Sequence, residues 1–294
     1  MSSLKELRGR IRSIKSTQKI TAAMKMVAAA KLRKSQEKTE TIRPYSHKLS
    51  TMIDSILHQD IEIDTPSVLQ AGGKGVHLIF VMGAARGLCG NYNSLIMKET
   101  KRFIKKLQAA GQPFYLAVIG RRGFDLLNKQ YADRFLFLQQ AELSLKEGPT
   151  YKWAEKITGQ ILKWLQTGKV GKVTLIAGAF KSVLVQKIQP VPLVPLPEHK
   201  MNNQEVRMYL PYMLMEPAPE DLLSSLLREN LCIQIYHMML ENIACEQASR
   251  MTAMDSATKN AREMIQKLQL RYNQTRQAHI TNELIEIISG AQSL

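Results

Sequence analysis

The two ends of this chain constrain its fold more than anything between them. Each is a long segment of helix-forming residues with few breakers, while the middle alternates short apolar runs with glycines and prolines. A solitary long helix with an apolar stripe must bury that stripe against something. The nearest partner for each end is the other end, folded back antiparallel. Residues 1–58 read as one helix, in which Leu4, Leu7, Ile11 and Ile14 recur at spacings of three and four, the pattern of a coiled-coil seam. Gln18 and Thr21 continue the register, and Met24, Val27 and Ala28 predict a drift in it. Pro44 sits inside the periodic region and predicts a kink or a break.

Residues 219–289 read as the second long helix. Leu240, Ala244, Gln247, Met251, Met254, Thr258, Ala261, Ile265, Leu268, Tyr272, Thr275, His279 and Asn282 keep four-three spacing. That is about six heptads, in a helix roughly 90 Å or more long at the helical rise. It matches the first helix and overhangs it, and Gly290 is its predicted terminator. This seam holds Ala, Thr, Gln and Met where a stable zipper carries Leu and Ile. Small seam residues let two helices approach closely, yet they withdraw less apolar surface from water. Two readings follow: a coiled coil stabilised elsewhere, or a shaft built to run inside a tight sleeve.

Between the ends, Gly72, Gly73 and Gly75 form a linker, and residues 76–82 are a continuous apolar run of the kind that makes a buried strand. A loop at 83–93 leads to a helix at 94–110 that stops at Gly111. A second strand at 113–119, a short helix at 123–130 and a strand at 134–138 come next. An amphipathic helix at 150–167 precedes a strand at 173–180, and a last strand at 183–191 ends in the proline-rich stretch 190–197. Strands alternating with helices imply a mostly parallel sheet with helices on its faces. The fold class is therefore α/β: an antiparallel coiled coil of the two terminal helices plus a central Rossmann-like domain. The expected domains are 1–70, 71–208 and 209–294.

Charge narrows the partners. The chain carries a net +16, and residues 1–35 contribute ten basic residues against one acid, Glu6, a local net of +9. Such a stripe seeks nucleic acid, anionic lipid or an acidic protein surface, or is simply a solvated face. Residues 1–44 lack aromatics for base stacking, which argues against a single-strand binder. No apolar run approaches the ~20 residues that cross a bilayer.

The chain looks catalytically empty. Its only glycine-rich loop after a strand, residues 83–91, is neither GxGxxG nor followed by a Walker lysine. It reads as a plain strand-to-helix turn or as a protein contact made through Arg86. The six histidines show no metal-ligand spacing, and neither paired carboxylates nor a GxSxG nucleophile motif is present. Cys89, Cys232 and Cys245 form no CxxC and read as packing residues of a reducing compartment. No cofactor and no metal are expected.

Three stretches then carry a resemblance. The first is residues 4–31, with Ile20-Thr21-Ala22-Ala23-Met24-Lys25-Met26-Val27-Ala28 at its heart, continuing to Arg43-Pro44-Tyr45. The second is Arg86-Gly87-Leu88-Cys89-Gly90-Asn91-Tyr92-Asn93. The third is Ser249-Arg250-Met251-Thr252-Ala253-Met254 with Arg276-Gln277-Ala278-His279-Ile280-Thr281-Asn282-Glu283-Leu284 and the closing Ile287-Ile288-Ser289-Gly290-Ala291. Together they resemble the γ subunit of the F-type ATP synthase in its bacterial form. The likeness begins at residue 4, which leaves no room for a cleaved transit peptide, and the cysteine pair of the plastid form is missing. The chain departs from the family's usual Ser-Asp at Ala84 and Ala85, from a common glycine at Asn91, and from an acid found in some relatives at Lys25.

The resemblance implies a non-catalytic central rotor stalk. Its tip turns inside an α3β3 hexamer, and its α/β domain rests on the ε subunit and the membrane c-ring. Proton flow through the ring is thereby coupled to ATP synthesis. It implies hexamer contacts at Met24, Arg250, Arg276, Gln277, Thr281 and Glu283, a β-contact loop with Arg86 and Cys89, and an ε or c-ring contact at Tyr209 and Tyr212. Membrane association is indirect, at the cytoplasmic face of the bacterial inner membrane, and nucleic acid is not expected as a partner. The competing readings are a basic coiled-coil scaffold that binds nucleic acid and a nucleotide-dependent enzyme of the doubly wound class.

Overall fold

The computed structural model describes residues 4–57, 75–84, 86–136, 148–195, 216 and 218–292. Helix α1 spans Leu4–Leu57 and helix α5 spans Pro219–Gln292. Between them lie β1 (His77–Met82), α2 (Tyr92–Ala109), β2 (Phe114–Ile119), α3 (Arg121–Tyr131), α4 (Tyr151–Gln166), β3 (Lys172–Phe180) and β4 (Gln186–Val194). The chain forms two compact units, one of Met1–Ala29 with Arg250–Leu294 and one of Ala30–Ser249.

The described residues of the first unit are all helical. Arg8 meets Tyr272, Thr21 meets Thr258 and Lys25 meets Asp255. As the α1 number rises the α5 number falls in step, so the helices run antiparallel in a fixed register.

The second unit is a sheet with helices on both faces. Strand order is β2-β1-β3-β4, with β1 parallel to both β2 and β3, and β4 antiparallel to β3. Alternate residues of each parallel strand point to opposite faces, and most are buried, as on a two-sided sheet: all of β1, all of β2 but Tyr115, and residues 173–178 of β3. Leu78, Phe80 and Met82 pack on one face with α4, the C-terminal part of α1 and the N-terminal part of α5. Ile79 and Val81 pack on the other with α2 and α3. Helix α5 meets β3 at Gly178. A Cβ there would sit 2.6 Å from the Tyr92 hydroxyl and 2.9 Å from Cys245 Sγ. The Tyr92 hydroxyl donates to Asn242 Oδ1 at 2.7 Å, and the backbone N–H of Phe180 donates to Glu241 Oε2 at 2.6 Å. These bonds tie α5 to the sheet through polar groups that burial would otherwise leave unsatisfied.

Several sequence expectations meet corrections. Helix α1 continues without a break through Pro44. Proline frees the carbonyl four residues back, but Glu40 and Pro44 are both exposed, so water can satisfy it. The drift expected near Met24 and Val27 is not seen. Val27 and Met26 are exposed, while Thr21, Ala28, Leu32, Ser35 and Thr39 form one buried stripe. Lys25 holds the position between Thr21 and Ala28, and its charge is met by Asp255, so the seam need not rotate to bring Val27 inward. Helix α5 passes Gly290 and ends at Gln292; a glycine permits a stop without compelling one. At 134–138, residues 132–134 form a 3₁₀ turn and Phe135 makes one parallel bridge with Leu116; residues 137 and 138 lie outside the described residues. The last strand begins at Gln186, later than expected, and runs through Pro190 and Pro192. Both prolines are tolerated because β4 is an edge among the described strands, where one row of N–H groups has no described strand to pair with.

Gly178→Ala should cost about 1–3 kcal/mol of stability, because Tyr92 and Cys245 are buried and have no room to yield. Urea denaturation checks this; an unchanged midpoint would show that α5 sits less tightly on β3 than described.

Candidate functional site

The site begins with the pairing of the two helices in the first unit. Three polar layers cross its seam. At one end the Arg8 guanidinium donates to the Tyr272 hydroxyl at 2.7 Å and also lies over the Tyr272 ring, 5.7 Å from its centroid. In the middle, the Thr21 and Thr258 hydroxyls are 2.8 Å apart. Each hydroxyl has one proton to give. Thr258 is 2.7 Å from the Met254 carbonyl and Thr21 is 3.1 Å from that of Gln18. The shorter local bond favours Thr258 donating to Met254 and Thr21 donating across the seam. The third layer is Lys25 Nζ on Asp255 Oδ1 at 2.6 Å, with Lys259 Nζ on Oδ2 at 3.0 Å. These two lysines hold the Asp255 carboxyl below its ordinary range, the hydrogen bond from Lys25 being the larger cause. The layers carry little apolar burial but much geometric specificity, since polar seam groups match in one register only.

By that register Leu4 lies level with about residue 276 of α5. Among the described residues no part of α1 therefore faces the last turns of α5, from residue 277, and residues 276–289 are all exposed. Ile280, Leu284, Ile287 and Ile288 form a stripe there at helical spacing. The stripe is rotated about a third of a turn from the seam line through Ile265 and Tyr272, so it is a second face and not the seam prolonged. Arg276 and Glu283, seven apart, border it on the side nearer the seam. Gln277 and Thr281, four apart, lie toward its other border. Thr281 donates its hydroxyl back to the Gln277 carbonyl at 3.0 Å, and Glu283 sits 3.8 Å from His279 Nδ1. The four residues singled out in this stretch thus share one half of one helix. The apolar stripe among them escaped the sequence reading, which followed the four-three seam to Asn282. Its own four-three-one spacing was the available signal.

The other residues lie elsewhere. Met24 is half-buried and level with Asp255 by the same register, while Arg250 is 7 % exposed and about a turn and a half nearer the N-terminus of α5. In the loop after β1, Arg86 is exposed but Cys89 is buried. The Cys89 carbonyl accepts from Ser249 Oγ at 2.7 Å, and Asn93 Nδ2 donates to Cys89 Sγ at 3.5 Å. Leu88, at positive φ, is turned outward instead. Tyr209 and Tyr212 lie outside the described residues. All three cysteines are buried and outside any disulfide, and burial pushes the Cys245 thiol up to about 12, which keeps it protonated and unreactive at neutral pH. Among the described residues no cluster has metal-binding geometry, and no helix is long and apolar enough to cross a membrane.

Comparison with known proteins names the class that this architecture belongs to. The ATP synthase family model matches residues 3–294. The chain is 41% identical over 296 residues to the ATP synthase γ chain of Rhizobium etli, 42% over 299 to that of Pelagibacter ubique and 43% over 298 to that of Acidiphilium cryptum, with full coverage of both chains in each case. The fold is shared with a chain of the Euglena gracilis mitochondrial ATP synthase F1/c-ring assembly (TM-score 0.64, 17% identity, 99% of this chain and 94% of that one). It is also shared with one of the Tetrahymena thermophila mitochondrial central stalk and c-ring (TM-score 0.57, 24% identity, 81% and 99%). The chain belongs to the ATP synthase family, and within it to the γ chains.

Thr258→Val should cost about 0.5–1.5 kcal/mol, because the Thr21 hydroxyl loses its cross-seam partner. The double variant with Thr21→Val should recover much of that, since no polar group is then left unpaired. Additive losses in a denaturation cycle would mean that the two hydroxyls do not interact. A carboxyl held low when folded stabilises above its ordinary value of 3.8 and loses that contribution as pH falls through the lower folded value. Helix content should therefore decline with acid from about pH 4 downward, and less steeply in Asp255→Asn, as circular dichroism would measure.

Proposed function

We propose that this chain is the central rotor stalk of a bacterial F-type ATP synthase, carrying torque between a membrane c-ring and an α3β3 hexamer and doing no chemistry itself. The observation that carries the reading is the exposed apolar stripe on the overhanging end of α5. Full burial of one such isoleucine or leucine gains roughly 2 kcal/mol, so four of them on an unaccompanied helix end call for a surrounding partner. A sleeve formed by a ring of subunits is such a partner, and the flanking Arg276, Gln277, Thr281 and Glu283 supply polar contacts at its wall. Met24 and Arg250 are proposed to serve the same hexamer at the acidic loops of its β subunits, where the basic face of α1 also finds its counter-charge. Tyr209 and Tyr212 are proposed for the foot, near ε and the ring.

The mechanism requires only differential contact. A shaft that meets three like catalytic subunits with three different faces biases each toward a different state, and its rotation exchanges the biases in sequence. Many weak contacts suit this better than a few strong ones, because a deep well at one angle would arrest the shaft. The chain would sit peripherally at the cytoplasmic face of the inner membrane, held by its partners.

Arg276→Ala and Gln277→Ala should each lower ATP-driven proton pumping in inverted membrane vesicles about fivefold, with little change in the folding of this chain, since both side chains are exposed. Full pumping with normal assembly in both variants would remove these positions from the interface.

A further inference from the structure

The hairpin between β3 and β4 carries the most exposed large apolar side chain among the described residues. Leu184 is 82% exposed and Val185 beside it 54%. The tip is not loose: the N–H of Ser182 donates to the Val185 carbonyl at 3.1 Å, and the N–H of Val185 donates to Ser182 Oγ at 3.1 Å. Val183, next in the turn, packs down on Leu32, Ala244 and Ala248. A tight turn anchored through Val183 therefore holds Leu184 out in solvent, and ordering an aliphatic side chain there has no benefit within the chain.

The surroundings give this knob a charge. Lys181 and Lys187 flank it and are exposed. Lys31 and Lys34, also exposed, flank Leu32 on α1, the residue that Val183 packs against. Among the described residues none of these four lysines is in an ion pair. The parallel strands all end at the same edge of the sheet as this hairpin, and the segments that leave them, residues 83–91, 120–123 and 181–187, contain basic residues and no acid. A second copy of the chain would bring like charge against like. A bilayer finds little to hold in two aliphatic side chains whose nearest aromatic, Phe180, is half-buried at the base of the hairpin. An acidic protein surface with an apolar socket satisfies both features together.

We infer that the β3–β4 hairpin is a docking knob for an acidic segment of another subunit, with Leu184 and Val185 entering an apolar socket and Lys181, Lys187, Lys31 and Lys34 facing carboxylates around it. This rests on the reading of the chain as part of a multisubunit ATP synthase and adds to it a contact that lies off the coiled coil.

The test uses the intact complex. Leu184→Cys offers one accessible thiol, because the three native cysteines are buried. A benzophenone maleimide on that thiol, photolysed in the purified complex and mapped by mass spectrometry, should cross-link to a peptide of another subunit in which Asp and Glu outnumber Lys and Arg. In parallel, Lys181→Glu and Leu184→Asp should each weaken binding of the full chain to α and β subunits about tenfold, with unchanged melting, and Lys181→Glu should also reduce the salt dependence. Cross-links confined to this chain, to lipid, or to a neutral or basic peptide would overturn the inference, as would unchanged affinity in both variants. A chain that purifies without α and β subunits overturns the proposed function and this inference with it. One that purifies with them yet gives no cross-link from position 184 overturns this inference alone.

Discussion

The antiparallel pairing of α1 with α5, held in a single register by polar layers, is the constraint on which the first unit depends. Apolar burial between those helices is thin, because residues such as Thr21, Ala28, Thr258 and Ala261 occupy seam positions where larger aliphatic side chains would bury more. Thr21 with Thr258, Lys25 with Asp255 and Arg8 with Tyr272 supply what area does not: one allowed alignment. A shift along the seam would separate every pair at once. That alignment also fixes how much of α5 overhangs, and so which residues stand at its unaccompanied end.

The second unit solves a different problem with different means. Its parallel strands are buried on both faces, so they read as apolar runs, and its helices bury large side chains such as Ile96, Ile104 and Ile161. The contact of α5 with β3 is narrower and more exacting. Glycine at 178 makes room for Tyr92 and Cys245, and Asn242 and Glu241 satisfy the tyrosine hydroxyl and the Phe180 N–H. One long helix is thus seated by polar matching on a sheet and, in the other unit, by polar matching along a seam.

Much of this was legible in the sequence, and the misses have physical causes. The β1, β2 and β3 runs stood out because almost nothing polar interrupts them, Thr174 in β3 apart, and the terminal helices because breakers are scarce. Pro44 does not break the helix because the carbonyl it frees is open to water, and Gly290 does not end its helix because a glycine permits a stop without compelling one. Val27 misled because apolar character alone was counted, and the pairing of Lys25 with Asp255 joins residues 230 apart. Prolines in β4 hid a strand that only its edge position permits. In the overhang, Arg276, Gln277, Thr281 and Glu283 came from resemblance, while the apolar stripe between them was written in the spacing of Ile280, Leu284, Ile287 and Ile288 and passed over because it is not the seam.

A family assignment says which machine the chain belongs to, and the proposed function says what the chain would do there: turn. A rod-shaped label fixed to an exposed site on this chain, in complexes immobilised through their hexamer, should rotate stepwise in one direction on addition of ATP. Steady ATP hydrolysis with the label motionless, in complexes shown to retain this chain, would contradict its role as the rotor.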